Sequence, residues 1–140
     1  MREERAVRAH IVWLEDRSGS LADLCDAVGA QNINISGISA TTWGERGAVA
    51  LTTDDADAMI SVLEERNAEH RVVELVAAVL EDRPRALAAA ARRLADRDIN
   101  IRAVVPMGVR DGNRIIGFVV DVPAAARDAL GDLALPDSEL

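Results

Sequence analysis

The stretch LEDRSGSLADLCDAVGAQNINI, residues 14–35, is followed later in the chain by LEDRPRALAAAARRLADRDINI, residues 80–101. Aligned without a gap, the two copies share Leu-Glu-Asp-Arg at the start, Leu-Ala in the middle and Ile-Asn-Ile at the end. Matches at both ends of one gapless window indicate an internal repeat, even in a chain rich in Ala, Leu, Arg and Asp. The fold therefore has to be one in which a short unit is used twice.

The first copy predicts a strand, a helix, two more strands and a second helix. Ser20 is predicted as a helix N-cap, and the helix after it carries apolar residues at the i, i+3, i+4 and i+7 spacing of one buried face. The predicted strands are 8–14, 34–42 and 48–53, with a hairpin turn at 43–47, and the second helix follows three aspartates that suit its N-terminus.

The second copy predicts the same order, with strands at 72–80, 101–109 and 115–121, a helix at 86–97 and a last helix opened by Pro123. Pro106 interrupts the middle strand, which indicates an edge position or a bulge. The last strand of the first copy runs directly into the first strand of the second. The predicted fold class is α+β, two tandem ferredoxin-like βαββαβ modules with antiparallel sheets and helices on one face, divided as residues 1–72 and 73–140.

Composition excludes several classes of function. The chain has 140 residues, a net charge of −8 and scattered arginines, so it lacks the basic surface and the aromatic platforms that nucleic-acid binding requires. No apolar run reaches the length of a membrane helix. The N-terminal MREERAVRAH has no apolar segment behind its charges, so no signal peptide is expected and the protein is predicted to be cytoplasmic.

The sequence offers no catalytic, metal or cofactor site. Cys25 lies within an apolar helical stripe, and the two histidines, His10 and His70, fall in predicted strands elsewhere. Spacings such as CxxC or HExxH are absent. We therefore expect no enzyme activity.

Trp13 and Trp43 lie in or beside strands, where packing in the core is the common case.

The repeated loop and strand entry resemble the ACT domain family. The pieces that carry the resemblance are Asp16-Arg17-Ser18-Gly19-Ser20-Leu21 with Asn32-Ile33-Asn34-Ile35, and Asp82-Arg83-Pro84-Arg85-Ala86-Leu87 with Asp98-Ile99-Asn100-Ile101. The resemblance covers nearly the whole chain as two copies. It implies a regulatory module that binds an amino acid where two ACT units meet, beside the loop after the first strand.

The chemistry of that loop suits an amino acid, because a helix N-terminus offers unpaired N–H groups to a carboxylate and Gly19 allows close approach. Asp16 is a candidate acceptor for the ligand ammonium, although an Asx-turn is an equally good reading of it. The predicted ligand-binding residues are Asp16, Arg17, Ser18, Gly19, Ser20, Leu21, Asn34, Ile35, Ser36, Arg83 and Asn100.

The two loops depart from the family pattern in different ways. The first has Ser18 where the family has Pro, and the second has Arg85 where the family has Gly. Arg85 would crowd the second pocket, grip a carboxylate, or simply lie in solvent. The first loop is therefore predicted to be the better site.

Three functions fit these features. The first is a free-standing regulator that binds a small amino acid and acts on a metabolic enzyme. The second is an assembly module with no ligand. The third is the regulatory subunit of an amino-acid biosynthetic enzyme. For the tandem pair a homodimer is expected, because two small modules leave sheet faces and edges uncovered.

Overall fold

The computed structural model of the chain describes residues 7–136 and residue 140, so most of the charged N-terminal segment lies outside the described residues. The elements follow the predicted order of strand, helix, strand, strand and helix, twice, and the fold is α+β with antiparallel pairing. In chain order they are β1 Val7–Glu15, α1 Ser20–Ala30, β2 Ile35–Trp43, β3 Arg46–Thr53, α2 Ala56–Glu65, β4 His70–Leu80, α3 Ala86–Ala95, β5 Ile101–Arg110, β6 Asn113–Val120 and α4 Pro123–Leu130, with a 3₁₀ turn over Gly131–Leu133.

The described residues divide into two compact units. The first comprises residues 8–73, and the second comprises the described residues from 74 onward together with Val7. The long strand β4 supplies its beginning to the first unit and its remainder to the second. Each unit is described separately below.

In the first unit the strand order is β2-β3-β1, with the start of β4 beside β1. His10 lies opposite Leu51 in the β1–β3 pair, and the amide of Trp13 donates to the carbonyl of Glu69 at 3.0 Å. The β2–β3 hairpin closes at the pair Trp43↔Arg46. Its turn is therefore only two residues long, shorter than the predicted turn at 43–47.

The core of the first unit lies between one face of these strands and both of its helices. Alternate residues of β1 and β3 point into it, as the two-residue period of a strand requires. They meet the apolar faces of α1 and α2, which recur at the 3.6-residue period of a helix. The buried set is Val12, Leu24, Val28, Ile33, Val49, Leu51, Met59, Val62 and Leu63.

The second unit has the strand order β4-β6-β5 and a core of the same kind around Phe118. Ala134 forms an isolated bridge with Ala78, and the amide of Leu135 donates to the carbonyl of Ala77 at 2.9 Å. This single bridge occupies the place of a last strand. The irregularity predicted at Pro106 is confirmed, because β5 is the edge strand and its register shifts between Pro106 and Val109.

Trp43 is not a core residue, contrary to expectation. It is 91% exposed, whereas Trp13 is half-buried. Trp43 is the last residue of an edge strand and directly precedes the hairpin turn, so it has a neighbouring strand, β3, on one side only. Its large apolar surface faces solvent.

None of the helices in the described part of the chain is long and apolar enough to cross a membrane. Among the same residues, no group of three or more His, Cys, Asp and Glu side chains is placed to hold a metal ion.

Candidate functional site

The first predicted loop joins the end of β1 to the start of α1. Backbone hydrogen bonds fix its shape: the amide of Asp16 donates to the carbonyl of Glu45 at 3.0 Å, and the amide of Arg17 donates to the carbonyl of Glu15 at 3.0 Å. Arg17 Nη1 also donates to the carbonyl of Ser18 at 3.2 Å. The loop is therefore held by the neighbouring hairpin and by its own guanidinium group.

Gly19, and not Ser20, is the N-cap of α1. Gly19 has φ 88°, in the left-handed region that glycine tolerates best, and no side chain caps the helix. Its carbonyl accepts the first helical bond, from the amide of Asp23 at 2.9 Å. The prediction of a Ser20 cap was wrong because the turn needs a left-handed residue one position earlier.

The amides of Leu21 and Ala22 donate to no backbone carbonyl in the part of the chain that the structure describes. These are the N–H groups that every helix leaves unpaired at its start. With no side chain capping them, they are available to an anionic group, and the helix dipole favours negative charge there.

A cleft of about 80 Å³ opens beside this helix start. Its walls come from the loop and helix on one side and from β2 and β3 on the other. The lining residues are Leu14, Glu15, Asp16, Arg17, Ser20, Leu21, Ala40, Thr42, Gly47, Ala48 and Val49.

The Asp16 carboxylate at this cleft makes no hydrogen bond or ion pair within residues 7–136 and 140. The neighbouring Arg17 is engaged elsewhere, with Glu15 at 3.4 Å and with Asp23 at 3.4 Å. Asp16 is thus a negative group at the cleft wall without a cation of its own.

The second predicted loop, between β4 and α3, repeats the backbone pattern of the first. The amide of Arg83 donates to the carbonyl of Glu81 at 2.9 Å, and the carbonyl of Arg85 accepts the first helical bond, from Ala89 at 2.8 Å. The side chain of Arg83 contacts Glu81 and the carbonyl of Pro84, as Arg17 contacts Glu15 and the carbonyl of Ser18 in the first loop. The repeat in the sequence is therefore a repeat of geometry.

Arg85 occupies the same left-handed N-cap position as Gly19, with φ 74°. The other non-glycine residues described with positive φ are Asn or Asp, the types that tolerate this region. Arg85 is solvent-exposed and does not line the cleft beside it. The second unit therefore keeps the same backbone turn, although a positive φ is less favourable for arginine than for glycine.

The second cleft also measures about 80 Å³, but an ion pair lies across it. Arg114 Nη2 contacts Asp82 Oδ1 at 2.8 Å, and both residues line the cleft. Asp82 is the counterpart of Asp16 in the repeat. In the strand pairing, Arg114 lies opposite Leu80 as Gly47 lies opposite Leu14. The first cleft thus has a glycine where the second has a guanidinium.

The structure brings together part of the predicted ligand-binding set. Asp16, Arg17, Ser20 and Leu21 line the first cleft, and Ser18 and Gly19 complete the loop between them. Arg83 lines the second cleft.

The predicted residues Asn34, Ile35, Ser36 and Asn100 do not line either cleft. Asn34 and Ile35 lie at the opening end of β2, where the Asn34 amide donates to Asp54 Oδ1 at 2.9 Å, and Ser36 Oγ lies 2.9 Å from Thr52 Oγ1. Asn100 makes the matching bond to Asp121 Oδ1 at 3.1 Å. The hydrogen bonds of Asn34 and Asn100 therefore connect the start of the second strand of each unit to the segment that precedes its second helix.

The sequence reasoning missed the β-strand walls of the clefts. Gly47 is the clearest omission, because a Cβ there would lie 2.6 Å from the carbonyl oxygen of Thr41 and 2.8 Å from the Cα of Thr42. Only glycine fits this close approach of two strands. The sequence shows this glycine directly before the predicted strand 48–53, but the sequence analysis assigned it to the hairpin turn at 43–47.

No family model and no curated protein matches the chain. Solved structures do. Protein BT0572 from Bacteroides thetaiotaomicron matches with a TM-score of 0.82 at 17% identity, over 96% of this chain and 94% of that one. The chain shares its fold. The ligand-free regulatory subunit of aspartate kinase from Thermus thermophilus matches with a TM-score of 0.67 at 18% identity, over 92% and 93% of the two chains. The corresponding subunit from Thermus flavus matches with a TM-score of 0.62 at 20% identity, over 89% and 88%.

Proposed function

We propose that this chain is a cytoplasmic, non-catalytic regulatory protein made of two tandem ACT-type modules, and that it binds a small amino acid at the first cleft. The observation that carries the proposal is the unpaired Asp16 carboxylate, which lies in one cleft with the uncapped start of α1. An α-amino acid carries both complementary charges, because its ammonium and its carboxylate are attached to the same carbon atom.

The two charged groups of an amino acid have separate partners in this cleft. The ligand carboxylate is held by the free amides of Leu21 and Ala22 at the positive end of the helix. The ligand ammonium is held by Asp16, in a charge-assisted hydrogen bond. The hydroxyl of Thr42, which also lines the cleft, is available to either group.

The walls limit the ligand to a small side chain. Ala40, Gly47 and Ala48 form much of the strand side of the cleft, and its volume is about 80 Å³. The remaining space is bounded by Leu14, Leu21 and Val49, which are apolar. We therefore expect an amino acid with a short and mostly apolar side chain to bind best.

The second cleft is proposed to have no amino-acid ligand. Its carboxylate is already neutralised by Arg114, so a ligand ammonium would compete with a guanidinium that is part of the chain. The conformation of the loop is retained there as a structural element.

The regulatory role is supported by the fold shared with the regulatory subunits of aspartate kinase named above. We propose that ligand binding changes the affinity of this chain for a metabolic enzyme, which is what makes such a module allosteric. The alternative of a dedicated regulatory subunit of an amino-acid biosynthetic enzyme differs in one observable. A dedicated subunit co-purifies with its large catalytic chain in the absence of ligand.

The test is a thermal-shift screen of the purified protein against the common amino acids, comparing Asp16→Asn with the matched variant Asp82→Asn. A ligand at 100 times its dissociation constant stabilises a protein by about 2.7 kcal/mol, and for a chain of this size the shift in Tm is about 5–10 °C. We expect a shift with the parent protein and with Asp82→Asn, and none with Asp16→Asn. A shift that survives in Asp16→Asn and disappears in Asp82→Asn would place the site in the other cleft.

A second candidate function is an assembly module without a ligand. The Asp82–Arg114 pair favours it for the second unit, since a filled cleft is a structural feature. A screen that shows no shift for any amino acid at millimolar concentration would make this the better account of the whole chain.

A further inference from the structure

A further cavity of the first unit lies beside the first cleft and is several times larger. Its volume is about 620 Å³, and it opens to solvent where the end of β1 meets the β2–β3 turn and Glu69, the residue before β4. We call this cavity the hollow. Residues 14–17 line both the hollow and the first cleft, so the two cavities share one wall.

The two arginines that line the hollow are already paired within the chain. Arg17 contacts Glu15 at 3.4 Å and Asp23 at 3.4 Å, and Arg46 Nη2 contacts Glu69. Their positive charges are therefore matched by glutamates of the same surface and by one aspartate of α1. The hollow has no arginine left over to neutralise its other carboxylates.

Two carboxylates of the hollow, those of Asp16 and Glu45, have no partner. Neither makes a hydrogen bond or an ion pair within the part of the chain that the structure describes. The amide of Asp16 donates to the carbonyl of Glu45 at 3.0 Å, so the backbone keeps the two residues beside each other. The hollow thus carries two negative charges that attract a cation from outside the unit.

The hollow also has an aromatic wall. Trp13 lines it and is half-buried, and Trp43, which directly precedes the turn carrying Glu45, is 91% exposed. A guanidinium group stacks on an aromatic ring and donates to carboxylates at the same time, which an ammonium does less well. Exposed tryptophan side chains are frequent anchors of protein interfaces. These side chains favour an arginine that belongs to another polypeptide.

The second unit does not repeat this surface. The register of the two hairpins matches Trp13 with Val79 and Glu45 with Gly112. The carboxylate that corresponds to Asp16 is already in an ion pair. The aromatic ring and the free carboxylates are therefore features of the first unit and not a by-product of the repeated fold.

We propose that the hollow docks an arginine-bearing segment of a partner protein, with the guanidinium held by Trp13 and by the carboxylates of Asp16 and Glu45. Charge complementarity selects this occupant, because residues 8–73 contain eleven Asp and Glu against five Arg. A small free cation would contact the carboxylates and leave the apolar surface of Trp43 in solvent. A polypeptide segment covers both.

Asp16 couples the hollow to the first cleft, a step that rests on the proposed amino-acid binding. Its carboxylate lines both cavities, and an ammonium bound to it in the cleft removes negative charge from the hollow. The amino acid and the docked segment therefore compete. By linkage each weakens the binding of the other to the same extent, so a bound amino acid favours release of the partner.

The test titrates the full chain with a tetra-arginine peptide blocked at both ends, by calorimetry and by the fluorescence of Trp13. Trp43→Phe removes the other tryptophan and serves as the parent. Glu45→Gln removes one free carboxylate, and Asp111→Asn removes a carboxylate from the turn of the other hairpin. We expect Glu45→Gln to weaken peptide binding about threefold, Asp111→Asn to leave it unchanged, and added salt to weaken it.

The peptide controls and the amino-acid screen separate the docking proposal from the proposed function. A tetra-lysine peptide should bind more weakly than tetra-arginine. An amino acid that raises Tm should weaken peptide binding, and Asp16→Asn should weaken both. Peptide binding that depends on Glu45, with no amino acid bound, would support docking and contradict the proposed function.

Three results would overturn the docking proposal. The first is no binding of tetra-arginine at millimolar concentration. The second is an equal loss of affinity in Glu45→Gln and Asp111→Asn, and the third is equal affinity for tetra-lysine. Circular dichroism spectra that match the parent show that each variant is folded.

Discussion

The loops that follow β1 and β4 have the same backbone and different chemistry. Both are held by an arginine that contacts the glutamate two residues before it and the carbonyl of the residue that follows it, and both place a left-handed residue at the helix N-cap. Among the differences between the units, Gly19 is matched by Arg85 and Gly47 by Arg114. The second of these supplies the guanidinium that pairs with Asp82 in the second cleft, whereas Asp16 in the first cleft has no such partner among the described residues.

The comparison shows that the backbone turn and the proposed ligand site depend on different residues. The turn requires φ near 80°, and the chain achieves it with glycine in one unit and with arginine in the other. The proposed site requires a carboxylate beside the helix start with no internal partner: among the described residues Asp16 has none, whereas its counterpart Asp82 pairs with Arg114. Backbone similarity alone would have assigned both clefts the same role.

The largest expected difference between the units concerns two buried glycines in their strands. Gly47→Ala places a Cβ against the backbone of β2, which cannot move aside, and we expect a loss of about 3 kcal/mol in the free energy of unfolding. Gly117→Ala meets the side-chain ends of Leu75 and Met107, which can shift, and we expect a loss of about 1 kcal/mol. Urea denaturation followed by circular dichroism measures both. Equal losses would show that the β2–β3 approach is softer than the geometry indicates.

Acid should destabilise the first unit before the second. His10 is fully buried there, both of its ring nitrogens lack a hydrogen-bond partner, and burial, with Arg8 and His70 nearby, lowers its pKa from 6.5 to about 4. The unfolded chain therefore binds the extra proton between pH 6.5 and pH 4. The free energy of unfolding falls over that range as pH falls, by about 3 kcal/mol at most.

The measurement is a series of denaturation curves from pH 7 to pH 4, with amide exchange to locate the change. His10→Phe should remove most of the decline, because a neutral ring of similar shape has no proton to bind. Exchange should accelerate first in residues 8–73. A decline that is unchanged in His10→Phe would assign the acid sensitivity to other groups.

Exchanging the N-cap residues should separate binding from folding. Gly19→Arg puts into the first loop the residue that the second already accommodates, so the chain should still fold, at a cost of about 1 kcal/mol. The amino-acid-induced shift in Tm should decrease, because a Cβ at position 19 restricts the close approach of a ligand to the backbone at the helix start. Arg85→Gly should stabilise the chain by up to about 1 kcal/mol for the reverse reason. Unchanged ligand binding in Gly19→Arg would exclude close approach to this part of the backbone.

The smallest expected effect is that of the Asp82–Arg114 pair itself. Both side chains are more than half exposed, so solvent screens their attraction. A double-mutant cycle with Asp82→Asn and Arg114→Gln should give a coupling energy of roughly 0.2–1 kcal/mol. A much larger value would mean that the pair helps to hold the second unit together as well as filling its cleft.

Much of the fold was predictable because it depends on local patterns. The repeated stretch marked the strand ends, the turns and the helix starts of both units, and the irregular edge strand followed from Pro106 alone. The Ser20 cap was wrong because serine at a helix start suggests a side-chain cap, whereas this turn is set by the left-handed residue before it. The expectation that Trp43 packs in the core was wrong: tryptophan is usually buried, but this one is the last residue of an edge strand and is exposed.

The candidate site was only half predictable for the same kind of reason. Asp16 and its loop are contiguous in the sequence, so they could be recognised together. Ala40, Thr42 and Gly47 line the same cleft from strands that lie more than twenty residues away in the chain. No local pattern indicates which of them face the loop.

The sequence by itself determined that one order of strands and helices occurs twice, and that each copy has a tight turn before its first helix. Tertiary structure alone decided that the two turns are unequal. The antiparallel register places Gly47 opposite Leu14 and Arg114 opposite Leu80. That pairing leaves Asp16 without a cation and gives one to Asp82. An ion pair forms between residues that a strand register brings within a few ångströms, and distance along the chain carries no information about that contact.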